Sequence, residues 1–100
     1  MKYRVSIRPD ALFDIIEAAK WYDEKQLGIG KEFSETVRSE IRSLSEKALM
    51  HAVRFKRKNV PWFIPPRFPY KIVYRIESDC VVVYAVTHAA RQDREWKKRV

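Results

Sequence analysis

The order of apolar and polar side chains predicts a strand followed by a helix at the start of the chain. Residues 2–8 alternate strictly between charged or polar and apolar side chains, which is typical of a half-buried strand. Pro9 and Asp10 then suit the first turn of a helix, because proline is tolerated there and an acid favours the helix N-terminus. Apolar residues at spacings of three and four predict the buried stripe of this first helix: Leu12, Ile15, Ile16, Ala19 and Tyr22.

A second helix follows after a short break that contains two glycines. Gly28 and Gly30 interrupt the helical pattern, and glycine allows the positive backbone dihedrals that a chain reversal needs. From Lys31 the apolar spacing resumes, and it predicts this buried stripe: Phe33, Val37, Ile41, Leu44 and Ala48. Two amphipathic helices joined by a short loop predict an antiparallel helix hairpin.

The period of the pattern changes from helical to alternating in the second half of the chain. Four prolines between residues 61 and 69 predict that any strand there is short or lies at a sheet edge. Tyr70–Ile76 alternates, and Val81–Val86 is a dense β-branched run after a short polar turn, so the two segments predict a hairpin whose second strand is central. The whole sequence, residues 1–100, thus predicts one α+β domain. It comprises an N-terminal strand, an antiparallel two-helix hairpin and a roughly three-stranded antiparallel segment in one sheet.

Composition agrees with one small globular domain and narrows its chemistry. The chain has 100 residues, 46% of them apolar and 34% charged, which is too few for two independent cores and too apolar for a disordered chain. No apolar run approaches the roughly 18 residues of a membrane span, and the N-terminus has no signal-peptide pattern. Cys80 is the single cysteine, so we expect no internal disulfide, no metal and no cofactor. We expect a cytoplasmic protein with no membrane partner.

The charge is divided unequally between the two halves. The net charge is +8, and all of the excess falls in residues 51–100, because the first half carries equal numbers of acids and bases. A one-sided positive field attracts nucleic acid, an acidic protein segment or an anionic surface. A charged surface that serves only solubility is the other interpretation of the same excess.

Strand alternation places several cations on one expected surface. If Ile72 and Tyr74 face the helices, Lys71 and Arg75 face the opposite side of the sheet. No element remains in the pattern to cover that side, so we expect an open basic face with His88 and Arg91 at its rim. Such a face can hold a phosphodiester or an acidic peptide. Each residue also has an ordinary interpretation, as a solvated strand residue or a hydrogen-bonded strand end.

The order and spacing of these segments resemble the RelE/ParE superfamily over essentially the whole chain. The similar segments are Phe68–Ile76, Val81–Val86, His88–Arg91 and Trp96, with Trp21–Tyr22 and Gly30–Phe33 upstream. The resemblance implies a toxin of a type II toxin–antitoxin module, of the kind that stabilises plasmids and arrests growth. It also implies a cognate antitoxin that wraps the toxin surface in a hetero-oligomer.

The superfamily has two mechanistic branches, and the resemblance assigns residues to each. In RelE-like ribonucleases, which cut mRNA on the ribosome, Lys71 would stand for an early arginine and Arg91 for a later one. Arg67 is the nearest cation to the position where basic residues are expected, and Trp96 or Lys97 stands where a tyrosine acid would be. Neither Trp96 nor Lys97 can transfer a proton as a phenol does. The acid/base set therefore looks incomplete, and we favour the ParE-like branch, which inhibits DNA gyrase without hydrolysis.

Three functional hypotheses follow. In the first, the toxin binds gyrase, and the cations that contact the target are Arg67, Lys71, Arg75 and Arg91. In the second, the chain is a ribosome-dependent mRNA endonuclease whose candidate catalytic residues are Lys71, Arg75, His88 and Arg91. In the third, it is a non-toxic module that binds nucleic acid or protein through the same basic face.

Overall fold

A computed structural model describes residues 2–52, 61–91 and 94–99. The elements, in chain order, are β1 (Arg4–Ile7), α1 (Pro9–Lys25), α2 (Ile29–Ala52), β2 (Trp62–Phe63), β3 (Tyr70–Glu77), β4 (Cys80–His88) and α3 (Arg94–Lys97). The predicted α+β class, with a strand, a helix hairpin and later strands in one sheet, is confirmed. The basic run at residues 54–58 lies outside the described residues.

The sheet has four strands in the order β1-β4-β3-β2. β3 pairs antiparallel with both β2 and β4, and β4 is internal, as its dense β-branched sequence predicts. The predicted antiparallel segment therefore comprises β2, β3 and β4, whereas the N-terminal strand β1 pairs parallel to β4 and makes the sheet mixed. The parallel arrangement is possible because the helix hairpin lies between these two strands in sequence and forms a long crossover connection.

The main core lies between the helix hairpin and one side of the sheet, which we call the inner face. All five predicted stripe residues of α2 are buried. They meet inner-face residues of β3 and β4 such as Ile72, Tyr74 and Val83. The Tyr74 hydroxyl donates a hydrogen bond to the Ala48 carbonyl of α2 over 2.5 Å. This bond ties the centre of the sheet to the end of the helix hairpin.

The buried stripe of α1 differs in part from the prediction. The fully buried positions are Ala11, Ile15 and Ala18, whereas Leu12 and Ile16 are exposed. Small alanine side chains allow α1 to approach its neighbours closely. Because the alanines face the core, the larger side chains of Leu12 and Ile16, next to them on the helix, face outward. The prediction was therefore right for Ile15, partly right for Ala19 and Tyr22, which pack half-buried against the core, and wrong for Leu12 and Ile16.

The two glycines between the helices have different roles. Gly28 has a φ of 98°, a left-handed conformation that favours glycine. Gly30 lies within α2, where a Cβ atom would stand 2.2 Å from the Ala19 carbonyl oxygen. Asp23 completes the junction, because its Oδ1 accepts from the amides of Gly28 at 3.1 Å and Gly30 at 2.8 Å. A carboxylate at a helix N-terminus is favoured by the helix dipole.

Candidate functional site

The predicted site residues lie in three separate places. Lys71 and Arg75 belong to the side of the sheet opposite the helices, which we call the outer face. His88 is at the end of β4, where its ring lies 5.3 Å from that of Tyr70, and Arg91 follows it. Arg67 makes its contacts at neither site: it lies over the Phe68 ring at 5.2 Å and pairs with Glu32 at 3.4 Å.

The outer face is not open along its whole length, which corrects our expectation. Val73 and Ala85 are paired across β3 and β4, and both are fully buried beneath Trp96. Trp62 packs beside them. Because Val73 stands between Lys71 and Arg75 on the same face, this small cluster separates the two cations that we expected to act together.

A salt bridge fixes the C-terminal segment that carries Trp96. The Arg99 guanidinium donates to Asp14 Oδ2 at 2.6 Å and to the Tyr84 carbonyl at 3.2 Å. The same Asp14 oxygen accepts the Val86 amide at 3.0 Å. β1 pairs only with residues 80–83 of β4, so Asp14 and Arg99 satisfy backbone groups that the shorter β1 leaves exposed. Sequence reasoning missed this pair.

His88 and Arg91 lie in a groove of about 760 Å³ between α1 and the ends of β3 and β4. Its lining includes Phe13, Trp21, Tyr70 and Thr87. Phe13 and Trp21 are large and exposed, at 61% and 50%. The groove therefore offers apolar side chains together with charged groups of both signs, which suits an amphipathic protein segment.

A hydrogen bond orients one ring of this groove, and burial affects the pKa of another. His88 Nδ1 accepts the Ala90 amide at 3.0 Å, which places the proton of a neutral ring on Nε2. Burial, with a smaller contribution from Tyr22, raises the pKa of Tyr70, while Arg91 acts in the opposite direction. A phenol, an imidazole and a guanidinium thus converge here. We did not predict Tyr70 as a site residue, and its pairing with His88 across the hairpin is the signal that could have indicated it.

Arg75 belongs to a second cationic group at the open part of the outer face. Arg4 in β1 and Arg8, the extended residue just after β1, project on the same side as Arg75. The Arg8 guanidinium lies 5.2 Å from the centre of the Tyr84 ring. The Tyr84 hydroxyl donates to Glu77, and this bond is the main cause that raises the pKa of Tyr84; Arg8 and Arg75 act in the opposite direction. Arg4, Arg8 and Arg75 form what we call the outer arginine cluster.

Within residues 2–52, 61–91 and 94–99, the structure contains no group of three or more histidine, cysteine or acidic residues that could hold a metal ion. In the same part of the chain, no helix is both long and apolar enough to cross a bilayer.

The comparisons with known proteins identify the family. Residues 5–93 match the family model for the ParE toxin of the type II toxin–antitoxin system parDE. This chain belongs to the ParE toxin family. A solved structure described as a chromosomal ParDE toxin–antitoxin system from P. aeruginosa has the same fold, with a TM-score of 0.76 at 10% identity, over 87% of this chain and 96% of that one. No curated protein sequence matches this ParE-family chain.

Proposed function

We propose that this ParE-family toxin binds and inhibits DNA gyrase, that it does so without hydrolysing nucleic acid, and that a cognate antitoxin neutralises it. Family membership over residues 5–93 carries the proposal. The similar P. aeruginosa chain comes from a ParDE toxin–antitoxin system, which supports an antitoxin partner.

The distribution of the predicted site residues supports inhibition by binding. Phosphodiester hydrolysis needs cations and an acid/base pair around one scissile bond. Lys71 and Arg75 lie on the outer face, whereas His88 and Arg91 lie in the groove on the α1 side of the sheet. A binding toxin has no such requirement, because separate surfaces can contact one large target.

A supercoiling assay with purified gyrase tests the proposal. We expect the purified toxin to reduce supercoiling of relaxed plasmid in proportion to its concentration, and we expect DNA damage in cells that express it alone. Co-expression of the neighbouring gene should restore growth. Normal growth during expression alone, together with unaffected supercoiling, would instead support the non-toxic binding module.

The ribosome-dependent endonuclease remains the second candidate, and the groove is the observation that favours it. Tyr70, His88 and Arg91 together supply a phenol, an imidazole and a cation. Primer extension on translating ribosomes separates the two candidates. Cuts in the ribosomal A site that disappear in Arg91→Ala or His88→Ala would overturn the gyrase proposal. An absence of cuts, with supercoiling inhibited, would support it.

The antitoxin should complement the surface in both charge and shape. We expect an acidic segment that folds on binding and places apolar anchors against exposed aromatic residues such as Phe13 and Trp21. The on-rate of the complex should fall as salt concentration rises, because exposed charges are screened over about 8 Å at physiological ionic strength. An on-rate that is constant across ionic strength would contradict an electrostatic encounter.

A further inference from the structure

β1 is an edge strand with one side unpaired. The Arg4 amide donates to the Asp79 carbonyl, just before β4, and the Arg8 amide donates to the Val83 carbonyl of β4, both at 3.0 Å. In a parallel ladder the intervening residues direct their backbone groups the other way, so the N–H and C=O of Val5 and Ile7 face away from β4. In the described part of the chain these outward amides donate to no protein acceptor. The preceding residue, Tyr3, donates to the Ser45 carbonyl of α2 at 2.8 Å, which marks one end of the open stretch.

The side chains along this edge alternate in chemistry. Arg4, Ser6 and Arg8 are exposed on the outer face, whereas Val5 and Ile7 are half-buried on the inner face. A strand that paired with β1 would follow the same alternation. Its outer residues would lie beside the two arginines, and its inner residues would lie beside Val5 and Ile7. Cross-strand neighbours of opposite charge are stabilising, so the outer residues should be acidic.

Charge decides among the possible occupants of the edge. A second copy paired through β1 would bring Arg4 and Arg8 against the same arginines, and like charges opposite each other destabilise a pair of strands. A nucleic acid can neutralise the arginines, but it has neither the alternating backbone donors and acceptors nor the apolar side chains that the edge accommodates. An acidic peptide offers the negative charge, the alternating backbone donors and acceptors, and the apolar side chains. Arg75, on the same face, adds a further positive charge two strands away.

We propose that the open edge of β1 is the docking site for an extended acidic peptide segment that adds a strand to the sheet. Its aspartates or glutamates pair with Arg8 and with Arg4, whose exposed ion pair with Asp79 at 3.1 Å is shared or exchanged. The apolar residues between them cover Val5 and Ile7. The inference deepens the proposed antitoxin contact, and it rests on the proposed function only in naming the antitoxin as the source of the segment.

A synthetic peptide of alternating glutamate and valine tests the site on the full chain. We expect this peptide to bind and to slow hydrogen exchange at the amides of Val5 and Ile7. Arg4→Gln combined with Arg8→Gln should weaken binding roughly tenfold, since each exposed ion pair contributes modestly. A matched control, Lys31→Gln with Lys47→Gln, removes the same charge from exposed positions on α2 and should leave the affinity unchanged.

Two altered peptides separate strand addition from simple charge attraction. A peptide methylated on the backbone nitrogens that face β1 keeps its charge but loses its donors, so it should not bind. A scrambled peptide of the same composition should bind weakly. Equal binding by all three peptides, equal weakening in the lysine control, or complete competition by oligothymidylate without protection of Val5 and Ile7 would overturn the proposal. None of these outcomes depends on gyrase inhibition.

Discussion

The two faces of the sheet are stabilised in different ways. The inner face packs against two helices through large buried side chains, including Phe33, whose ring contacts those of Tyr22, Phe68 and Tyr70 at 4.9 to 5.2 Å. The outer face has a small cluster of Val73, Ala85 and Trp96, next to arginines that remain exposed. The inner face therefore determines whether the chain folds, and the outer face remains available for binding.

We expect the largest loss of stability from a substitution in the core that packs on the inner face. Phe33→Ala removes a fully buried ring from the aromatic cluster, and a buried phenylalanine replaced by alanine costs about 3 to 5 kcal/mol. Urea unfolding followed by circular dichroism measures the loss. Leu27→Ala, at a position that is 89% exposed, is the control and should change the free energy of unfolding by less than about 0.5 kcal/mol.

Trp96→Ala tests the outer face in the same way. We expect the free energy of unfolding to fall by about 3 kcal/mol. This value is at the lower end of the range for replacing a buried aromatic residue with alanine, because the terminal segment can relax around the change. Hydrogen exchange at Val73 and Ala85 should accelerate while exchange in α2 stays slow. A loss as large as that of Phe33→Ala, with exchange accelerated throughout the chain, would show that the two faces are equally important for folding.

The Asp14–Arg99 salt bridge provides a further test of how the outer face is stabilised, because it connects the C-terminal segment, which carries Trp96, to α1. Asp14→Asn keeps an acceptor for the Val86 amide but removes the charge opposite Arg99. The pair is largely buried, with side-chain exposures of 14% and 27%, so we expect a loss of about 1 to 3 kcal/mol. Asp79→Asn breaks the exposed pair with Arg4 and should cost less than about 1 kcal/mol.

A double-mutant cycle with Arg99→Gln checks the origin of the Asp14 effect. If the ion pair is responsible, the two substitutions together should cost clearly less than the sum of the single losses. Strictly additive losses would show that Asp14 acts only through the Val86 amide.

The sequence predicted the inner face well because local periodicity determines it. The stripe of α2 repeats large apolar residues without interruption, and Tyr70–Ile76 and Val81–Val86 leave one plausible hairpin. On α1 the apolar positions form two adjacent stripes, and the alanines at 11 and 18 give a weak hydrophobic signal. The stripe with the alanines is the one that packs into the core with α2 and the sheet, a choice that depends on tertiary packing and not on the pattern.

The contacts of the outer face could not be predicted, although its cations Lys71 and Arg75 were, because these contacts join residues that are remote in sequence. Asp14 and Arg99 are 85 positions apart, and nothing in either neighbourhood indicates the other. Trp96 belongs to the segments that carry the family resemblance, but its position over Val73 depends on where the C-terminal segment turns. The outer arginine cluster likewise needed the parallel pairing of β1 with β4, which brings Arg4 and Arg8 to the same side as Arg75.

At neutral pH we expect the smallest losses of stability from removing the hydroxyl of either of two tyrosines that lie on opposite faces. Tyr74 is fully buried on the inner face, and burial raises its pKa from 10.0 to about 12. Tyr84 belongs to the outer face, where the bond to Glu77 raises its pKa but solvent screens the charge. Tyr74→Phe should cost about 1 kcal/mol at pH 7, the value of one hydrogen bond, and Tyr84→Phe should cost less.

At alkaline pH, Tyr74 and Tyr84 should differ in how much they change the stability of the fold. As pH rises from about 10 to about 12, the unfolded chain releases the Tyr74 proton while the folded chain retains it, so the folded state loses stability over that range and not below it. Urea unfolding at a series of pH values should show this decline in the native chain and in Tyr84→Phe. The decline should be smaller in Tyr74→Phe, because its phenylalanine does not ionise. An equal decline in all three proteins would mean that the inner face does not restrict the ionisation of Tyr74, and that the two faces differ less in burial than their packing indicates.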